Sequence, residues 1–239
     1  MGETTFMKIN GKHTAREKVS VNKERYKTDP KFERSRESNS DFTVASKTGA
    51  ILRAAIRSIK LWGKDAKGPR LLHKELRKVL ASDSINTAGN ACIKDGDLGI
   101  LVGFSFNPKS RLRAALNLGY TSEINKETGI ITLNIPSFIP ESAMKVPDGA
   151  THYRFVSAGI SINFKMNPPV VTLKIMQGLV MPHDGNETTA FTTVHEVSDD
   201  PQCSYFLVLG LQFFKVAGKW QDQVKNGTAD CLTIIAATN

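Results

Sequence analysis

The side chains best suited to metal binding or acid–base chemistry are five histidines spread along the chain. No two of them have the i, i+4 spacing that places two ligands on one helix face. A metal site would therefore need ligands from distant segments, and the candidate set is His183, Asp184 and His195. Histidines in turns or at the surface are the commoner case. We expect no bound metal and no cofactor.

The three cysteines are Cys92, Cys203 and Cys231. An odd number at wide spacing argues against a disulfide framework and fits a reducing compartment. Cys203 and Cys231 could face each other across neighbouring C-terminal strands. A nucleophilic cysteine also needs a base and an anion hole, and no motif marks either. We interpret all three cysteines as small buried hydrophobic residues.

Sequence motifs for nucleotide, metal or redox chemistry are missing from the chain. Asp95 and Asp97 flank Gly96 as in the first half of a calcium loop, but the downstream bidentate Glu is lacking. The patterns G-x-x-x-x-G-K-[ST], G-x-G-x-x-G, H-E-x-x-H and C-x-x-C do not occur. We therefore expect a protein that is not an enzyme, with no catalytic residue and no small-molecule substrate.

Positive charge is concentrated in the first third of the chain. Residues 1–80 contain 20 Lys and Arg against 9 Asp and Glu, whereas the remainder contains 12 against 14. Such a split favours a polyanion partner or an acidic protein surface, although charges on an amphipathic helix often form only a solvated face. The residues we expect to bind this partner are Arg53, Arg57, Lys60, Lys64, Arg70, Lys74, Arg77 and Lys78.

The elements that carry these charges are predicted to be a β-hairpin and helices. Asn10-Gly11 suits a type I′ turn between two strands. Asp29-Pro30 is typical of a helix start and predicts a short helix over 31–37. Apolar residues at three- and four-residue steps predict a helix over about 40–62 and a second over 70–81. This basic segment spans residues 1–85.

Beyond it, polar residues lead into a part of the chain that is rich in strands, residues 98–239. Seven segments combine β-branched and aromatic residues with turn residues between them. They are 99–108, 111–120, 129–135, 151–164, 169–181, 203–216 and 229–239. We predict an α+β fold in which the hairpin and helices pack with an antiparallel β-sandwich of immunoglobulin-like architecture.

Residues 206–211 are apolar on both faces of their predicted strand. A strand that is covered on both sides explains this pattern. Either the N-terminal helices or a second copy of the chain could provide the cover.

Four stretches, in this order, carry a family resemblance: TFMKINGKHTAREK; DPKFERSRESNSDFTVASKTGAILRAAIR; GFSFNPKSRLRAALNLGYTSEINKETGIITLNIPSFIP with GATHYRFVSAG; and LGLQFFKVAGKWQDQVKNGTADCLTII. Through them the chain resembles a family of uncharacterised conserved proteins of Bacteroidetes-type bacteria. The resemblance covers most of the chain. It implies a coherent fold and a bacterial origin, but no particular chemistry.

The leading hypothesis is a non-enzymatic structural or interaction protein that assembles with itself or into a larger particle, with the basic N-terminal helices as docking surface. The alternative is a nucleic-acid-binding protein that uses the basic residues between Arg53 and Lys78. The sequence shows no secretory signal and no apolar run of roughly 20 residues. We therefore expect a cytoplasmic protein, or one assembled into a particle made in the cytoplasm, with no membrane partner.

Overall fold

The computed structural model describes residues 4–9, 11–17, 23–59, 67–224 and 230–239. The chain begins with an antiparallel hairpin of β1 (Thr4–Ile9) and β2 (Lys12–Glu17). Gly11 in its turn has a φ of +81°, which glycine adopts without steric cost. The predicted hairpin is confirmed, although Asn10 lies outside the described residues.

The N-terminal helices are α1 (Lys23–Thr28), α2 (Glu33–Ile56) and α3 (Gly68–Ala81). A 3₁₀ turn over Pro30–Phe32 precedes α2, and the Asp29 side chain accepts a hydrogen bond from Lys31 N as its N-cap. The prediction of α3 is confirmed.

The prediction of two separate helices over 31–37 and 40–62 is wrong. No glycine or proline interrupts residues 33–48, so α2 continues through this polar stretch as one helix. A 3₁₀ turn over Arg57–Ile59 follows it, and the predicted end at residue 62 lies outside the described residues.

After α3 come two 3₁₀ turns, Ile93–Asp95 and Leu98–Leu101, and then strands and two short helices. They are β3 (Thr121–Asn125), β4 (Ile130–Ile135), β5 (His152–Asn163), β6 (Val170–Gln177), β7 (Met181–Pro182), β8 (Phe191–Glu196), β9 (Ser204–Ala217), β10 (Trp220–Gln223) and β11 (Cys231–Thr238), with helices α4 (Leu112–Ala115) and α5 (Pro140–Ala143).

The long strands β5 and β9 lie at the centre of a six-stranded antiparallel sheet. β6 flanks β5, while β10 and β11 pair with the two ends of β9, and β7 pairs with the start of β5. A second antiparallel sheet has the order β3-β4-β8. The fold therefore mixes helices with antiparallel sheets, as predicted.

The central sheet is covered on both faces. On one face, Ala158, Ile160 and Val208 pack with the apolar stripes of α2 and α3, such as Leu52 and Leu76. The opposite face carries Leu207, Leu209 and Leu211, which share a core with β4 of the three-stranded sheet. The apolar run predicted to be covered on both sides is thus a central strand, and the N-terminal helices provide one of its covers.

Two of the seven predicted strands are wrong. Residues 99–108 begin in a 3₁₀ turn over Leu98–Leu101, and only a short stretch after it pairs with β11. Residues 111–120 contain α4, because the buried residues Leu112, Ala115 and Leu116 follow helical rather than alternating spacing.

Three strands lie outside the predicted segments. They are β3, β8 and β10. The residues of β3 and β10 are mostly polar and give little β-branched or aromatic signal. The residues of β8, FTTVHE, do give such a signal, and the prediction overlooked it.

Candidate functional site

A cleft of about 640 Å³ opens beside β11, between that strand and residues 111–120. Its apolar lining includes Leu112, Leu116 and Ile235. Its polar lining comes from a separate set of side chains: Arg111, Arg113, Asn117, Tyr120 and Thr233. The cleft therefore combines an apolar surface with cations and hydrogen-bonding groups.

Backbone hydrogen bonds of two elements define its walls. Gly103 N donates to Ile234 O (2.8 Å) and Ile234 N donates to Phe104 O (3.0 Å), which adds a short strand-like segment to β11. On the other wall, Asn117 N donates to Ala143 O (2.8 Å), which ties the residues after α4 to α5. The cleft lies between these two anchored segments.

Arg111 and Arg113 are exposed at the cleft and form no ion pair or side-chain hydrogen bond within the described chain. The Asn117 side chain is likewise without a partner among the described residues. An exposed arginine keeps its five N–H donors available for an anion. Two such arginines at one cleft form a positive site in which neither has an ion-paired carboxylate within the described chain.

Tyr120 is half-buried in the same cleft, and burial raises the pKa of its phenol. The hydroxyl thus keeps its proton and can donate a hydrogen bond. No hydrogen bond to another described residue uses this hydroxyl.

Thr233 is a buried polar residue of the cleft, with only 7% of its surface exposed. Its Oγ1 atom is shielded from solvent and has no hydrogen-bond partner among the described residues. A buried hydroxyl without a partner costs stability, commonly about 1–3 kcal/mol. Such a group is unusual in a native core, because most buried hydroxyl groups have a hydrogen-bond partner.

A smaller cleft of about 350 Å³ adjoins the first and shares Val102, Gly103 and Arg111 with it. It extends toward α3, where Leu71 and Glu75 line it. Arg111 therefore lies where the two clefts meet.

The predicted basic residues on α2 are only partly available. Arg53 is half-buried, and its Nε donates to Gly49 O (3.0 Å). Arg57 is exposed in the 3₁₀ turn after α2. Lys60 and Lys64 lie outside the described residues.

The predicted basic residues on α3 include three on one helical face. Arg70, Lys74 and Arg77 are exposed at i, i+4 and i+7, and no carboxylate within the described chain pairs with them. Lys78 lies four residues after Lys74 and beside this row, but its Nζ forms an ion pair with Glu75 Oε2 (2.6 Å).

The candidate metal ligands are not brought together. His195 is fully buried between the two sheets, with Nδ1 3.1 Å from Lys174 O and Nε2 3.1 Å from Ser157 Oγ. His183 instead approaches Met144 O, and Asp184 accepts hydrogen bonds from Asn186. Across the residues described, no group of three or more His, Cys, Asp or Glu could hold a metal ion.

The two C-terminal cysteines do not face each other, so the arrangement considered for a nucleophilic pair is not formed. Cys231 pairs with Leu211 of β9, whereas Cys203 precedes the opposite end of that strand. Both are buried as predicted, whereas Cys92 is only half-buried, so the prediction that all three are buried is wrong for Cys92. Burial raises the pKa of the Cys203 and Cys231 thiols, that of Cys231 to about 12. A thiol with so high a pKa is a poor nucleophile.

The carboxylates of Asp95 and Asp97, on either side of Gly96, accept hydrogen bonds from residues of the same loop region. Asp97 Oδ1 accepts a hydrogen bond from Gly99 N, and Asp95 Oδ2 accepts one from Asn86 Nδ2. Their interpretation as loop residues agrees with these contacts.

The arginines of the cleft were not among the predicted site residues. Residues 98–122 contain three cationic side chains, Lys109, Arg111 and Arg113, and no acidic one. This local excess is the signal that could have identified them. The larger excess before residue 81 obscured it.

None of the described helices is long and apolar enough to cross a membrane. In comparisons with known proteins, no family model, no curated protein and no solved structure matches this chain.

Proposed function

We propose that this chain is a non-enzymatic structural or interaction protein that assembles with copies of itself, alone or within a larger particle. The basic N-terminal helices are its docking surface, and the hairpin β1–β2 is its docking arm. The observation that carries the proposal is the exposure of the hairpin: every side chain of it whose burial the structure describes is exposed, including Phe6 at 78%.

An isolated two-stranded hairpin is marginally stable in water. Burial of a phenylalanine side chain stabilises a structure by roughly 1.5–3 kcal/mol, and the hairpin forgoes this contribution within its own chain. A surface on a second copy that covers Phe6 and Met7 would supply it.

The acceptor in this proposal is the outer edge of β6. This strand ends the central sheet, and no other described strand pairs with its free side. Val170, Val171 and Met176 are exposed along it, and Leu179 is exposed just beyond it. Exposed apolar edge strands readily pair with strands of another chain. The hairpin of a second copy is therefore the occupant that we propose.

Analytical ultracentrifugation of the full chain tests this assembly. We expect the wild-type protein to sediment as an oligomer at micromolar concentrations, and Phe6→Asp or Val170→Lys to shift it toward monomer. A charge on the hairpin opposes burial, and a lysine on an edge strand opposes pairing.

Ile85→Lys is the matched control, because Ile85 is also an exposed apolar residue but lies in the loop after α3. This variant should keep the wild-type sedimentation. A wild-type chain that remains monomeric at high concentration, or an equal effect of all three substitutions, contradicts the proposal.

Nucleic-acid binding is the second candidate function, and the exposed row of Arg70, Lys74 and Arg77 favours it. Phosphate contacts release counterions, so binding would weaken steeply as salt rises. Titration of duplex and single-stranded DNA at several salt concentrations tests it. Neutral substitution of the three residues should reduce the salt slope, and no binding at low salt excludes this function.

The resemblance to uncharacterised bacterial proteins is compatible with either function, because it implies no chemistry. The immunoglobulin-like architecture, the cytoplasmic location and the bacterial origin stay predictions.

A further inference from the structure

We propose that the cleft beside β11 binds a small organic anion, with a phosphate or carboxylate held by Arg111 and Arg113 and an apolar body against Leu112, Leu116 and Ile235. This site is separate from the docking arm and from the edge of β6. Its occupancy does not depend on self-assembly.

The charge of the cleft indicates an anionic ligand. Arg111 and Arg113 have no carboxylate partner in the described chain. A guanidinium group binds phosphate or carboxylate oxygens through two parallel hydrogen bonds, which adds geometric selectivity to the charge. Both arginines line the same cleft, and the proposal assigns the anionic group of the ligand to them.

The size and lining of the cleft indicate an organic rather than an inorganic anion. A volume of about 640 Å³ falls within the range of small-molecule sites and far exceeds that of a phosphate ion. Leucine and isoleucine side chains form part of the wall, which suits an apolar or aromatic body. The cleft is therefore suited to an amphipathic anion.

Neutral polar groups complete the site. The Tyr120 hydroxyl keeps its proton and is not used by another described residue. The Thr233 hydroxyl is buried without a partner at the same cleft. The site as proposed requires another χ1 rotamer of Thr233, in which the hydroxyl faces the cleft and the ligand supplies the missing hydrogen bond.

A ligand titration followed by ¹H–¹⁵N NMR tests the proposal with phenyl phosphate and benzoate as probes. The backbone amides of Gly103 and Gly119 are the reporters, since both residues line the cleft and glycine signals are well separated. We expect at least one anion to shift both signals, with neutral benzyl alcohol having a much smaller effect. Whichever of phenyl phosphate and benzoate binds more tightly indicates whether the site prefers a phosphate or a carboxylate.

The double variant Arg111→Gln/Arg113→Gln should weaken binding about tenfold or more, because hydrogen bonds between charged groups are lost. Arg70→Gln/Arg77→Gln removes the same charge from α3 and should leave the affinity unchanged. The proposal is overturned if neither anion binds up to about 10 mM. It is also overturned if the α3 variant weakens binding as much as the cleft variant, or if benzyl alcohol binds as tightly.

Discussion

The side chain of His195 lies directly against the backbone of Gly159, where the two sheets stack. A methyl group added to Gly159 would come within 2.5 Å of His195 Cβ, closer than two carbon atoms can approach without bonding. His195 Nε2 then reaches Ser157, two residues away on the same strand, and Nδ1 reaches Lys174 of β6. Glycine at position 159 is therefore what permits β8 to approach β5 at this distance.

Replacement of Gly159 by alanine should lower the free energy of unfolding by about 1–3 kcal/mol, because the added methyl forces the sheets apart in a closely packed core. Urea unfolding at neutral pH measures the change. Gly178→Ala is the control, since its added methyl would meet Phe155 O at an ordinary 3.5 Å. Equal stability of the Gly159→Ala variant and the wild type would contradict this account of the sheet contact.

The buried ring of His195 should make folding stability depend on pH. Lys174 O can only accept, so Nδ1 carries the proton of the neutral ring and Nε2 accepts from Ser157. Burial lowers the pKa of His195 from its ordinary value of 6.5, and the bond to Lys174 O opposes this only in part. The unfolded chain thus takes up a proton near pH 6.5 that the folded chain does not.

Stability that His195 contributes above pH 6.5 should consequently be lost as the pH falls toward the folded-state pKa. Urea unfolding of the wild type and of His195→Gln between pH 8 and pH 5.5 isolates this contribution as a difference. The variant is expected to show the shallower pH dependence. An NMR titration of the His195 ring checks the lowered pKa independently, even if the variant folds poorly. Parallel pH profiles together with an ordinary ring titration would refute the prediction.

The spacing of apolar residues correctly predicted the elements whose buried residues follow a single pattern, either helical or strand-like. The stripe of Leu72, Leu76 and Val79 predicted α3, and the apolar run 206–211 predicted a central strand. The stripe of α3 packs into one core, whereas the residues of 206–211 alternate between the cores on the two faces of the central sheet. In each case the local pattern and the tertiary environment agree.

Where the fold or the site depends on a few distant contacts, the sequence pattern was insufficient. Residues 111–120 look like a strand by composition, but the packing of Leu112 and Leu116 selects a helical turn. The cleft requires Thr233 and Tyr120, which are more than a hundred residues apart, to lie together. No local pattern could have placed them so. Burial of His195 likewise depends on a glycine in another strand.

Asp83 should stabilise the conformation of the loop between α3 and the sheets. Its carboxylate accepts hydrogen bonds from Ile85 N, from Asn86 N and Nδ2, and from Cys92 N. Partial desolvation raises the pKa of Asp83, but these hydrogen bonds outweigh it and hold the pKa well below its ordinary 3.8. The unfolded chain therefore takes up this proton at a higher pH than the folded chain.

Asp83→Ala is expected to cost about 1–3 kcal/mol at neutral pH, because several backbone donors lose their acceptor. The difference from the wild type should shrink as the pH falls below about 4, where the unfolded-state carboxyl binds its proton. Urea unfolding at pH 7 and pH 3.5 measures both effects. Ser84→Ala, at an exposed neighbouring position, should change neither value. A cost independent of pH would assign the role of Asp83 to packing instead.

Thr233→Val should separate stability from binding at the cleft. Valine has the same shape but no hydroxyl, so the substitution removes a buried group that has no partner in the described chain. We expect the free energy of unfolding to rise by about 1 kcal/mol, measured by urea unfolding without ligand. Affinity for the stronger of the two anions should fall at the same time, because the ligand loses a hydrogen bond. Improved stability together with weaker binding is the pattern of a polar group retained for a ligand at the expense of the fold. If the variant is stabilised but binds the anion as tightly as the wild type, Thr233 has only a packing role. The anion would then be bound by the two arginines and Tyr120 without it.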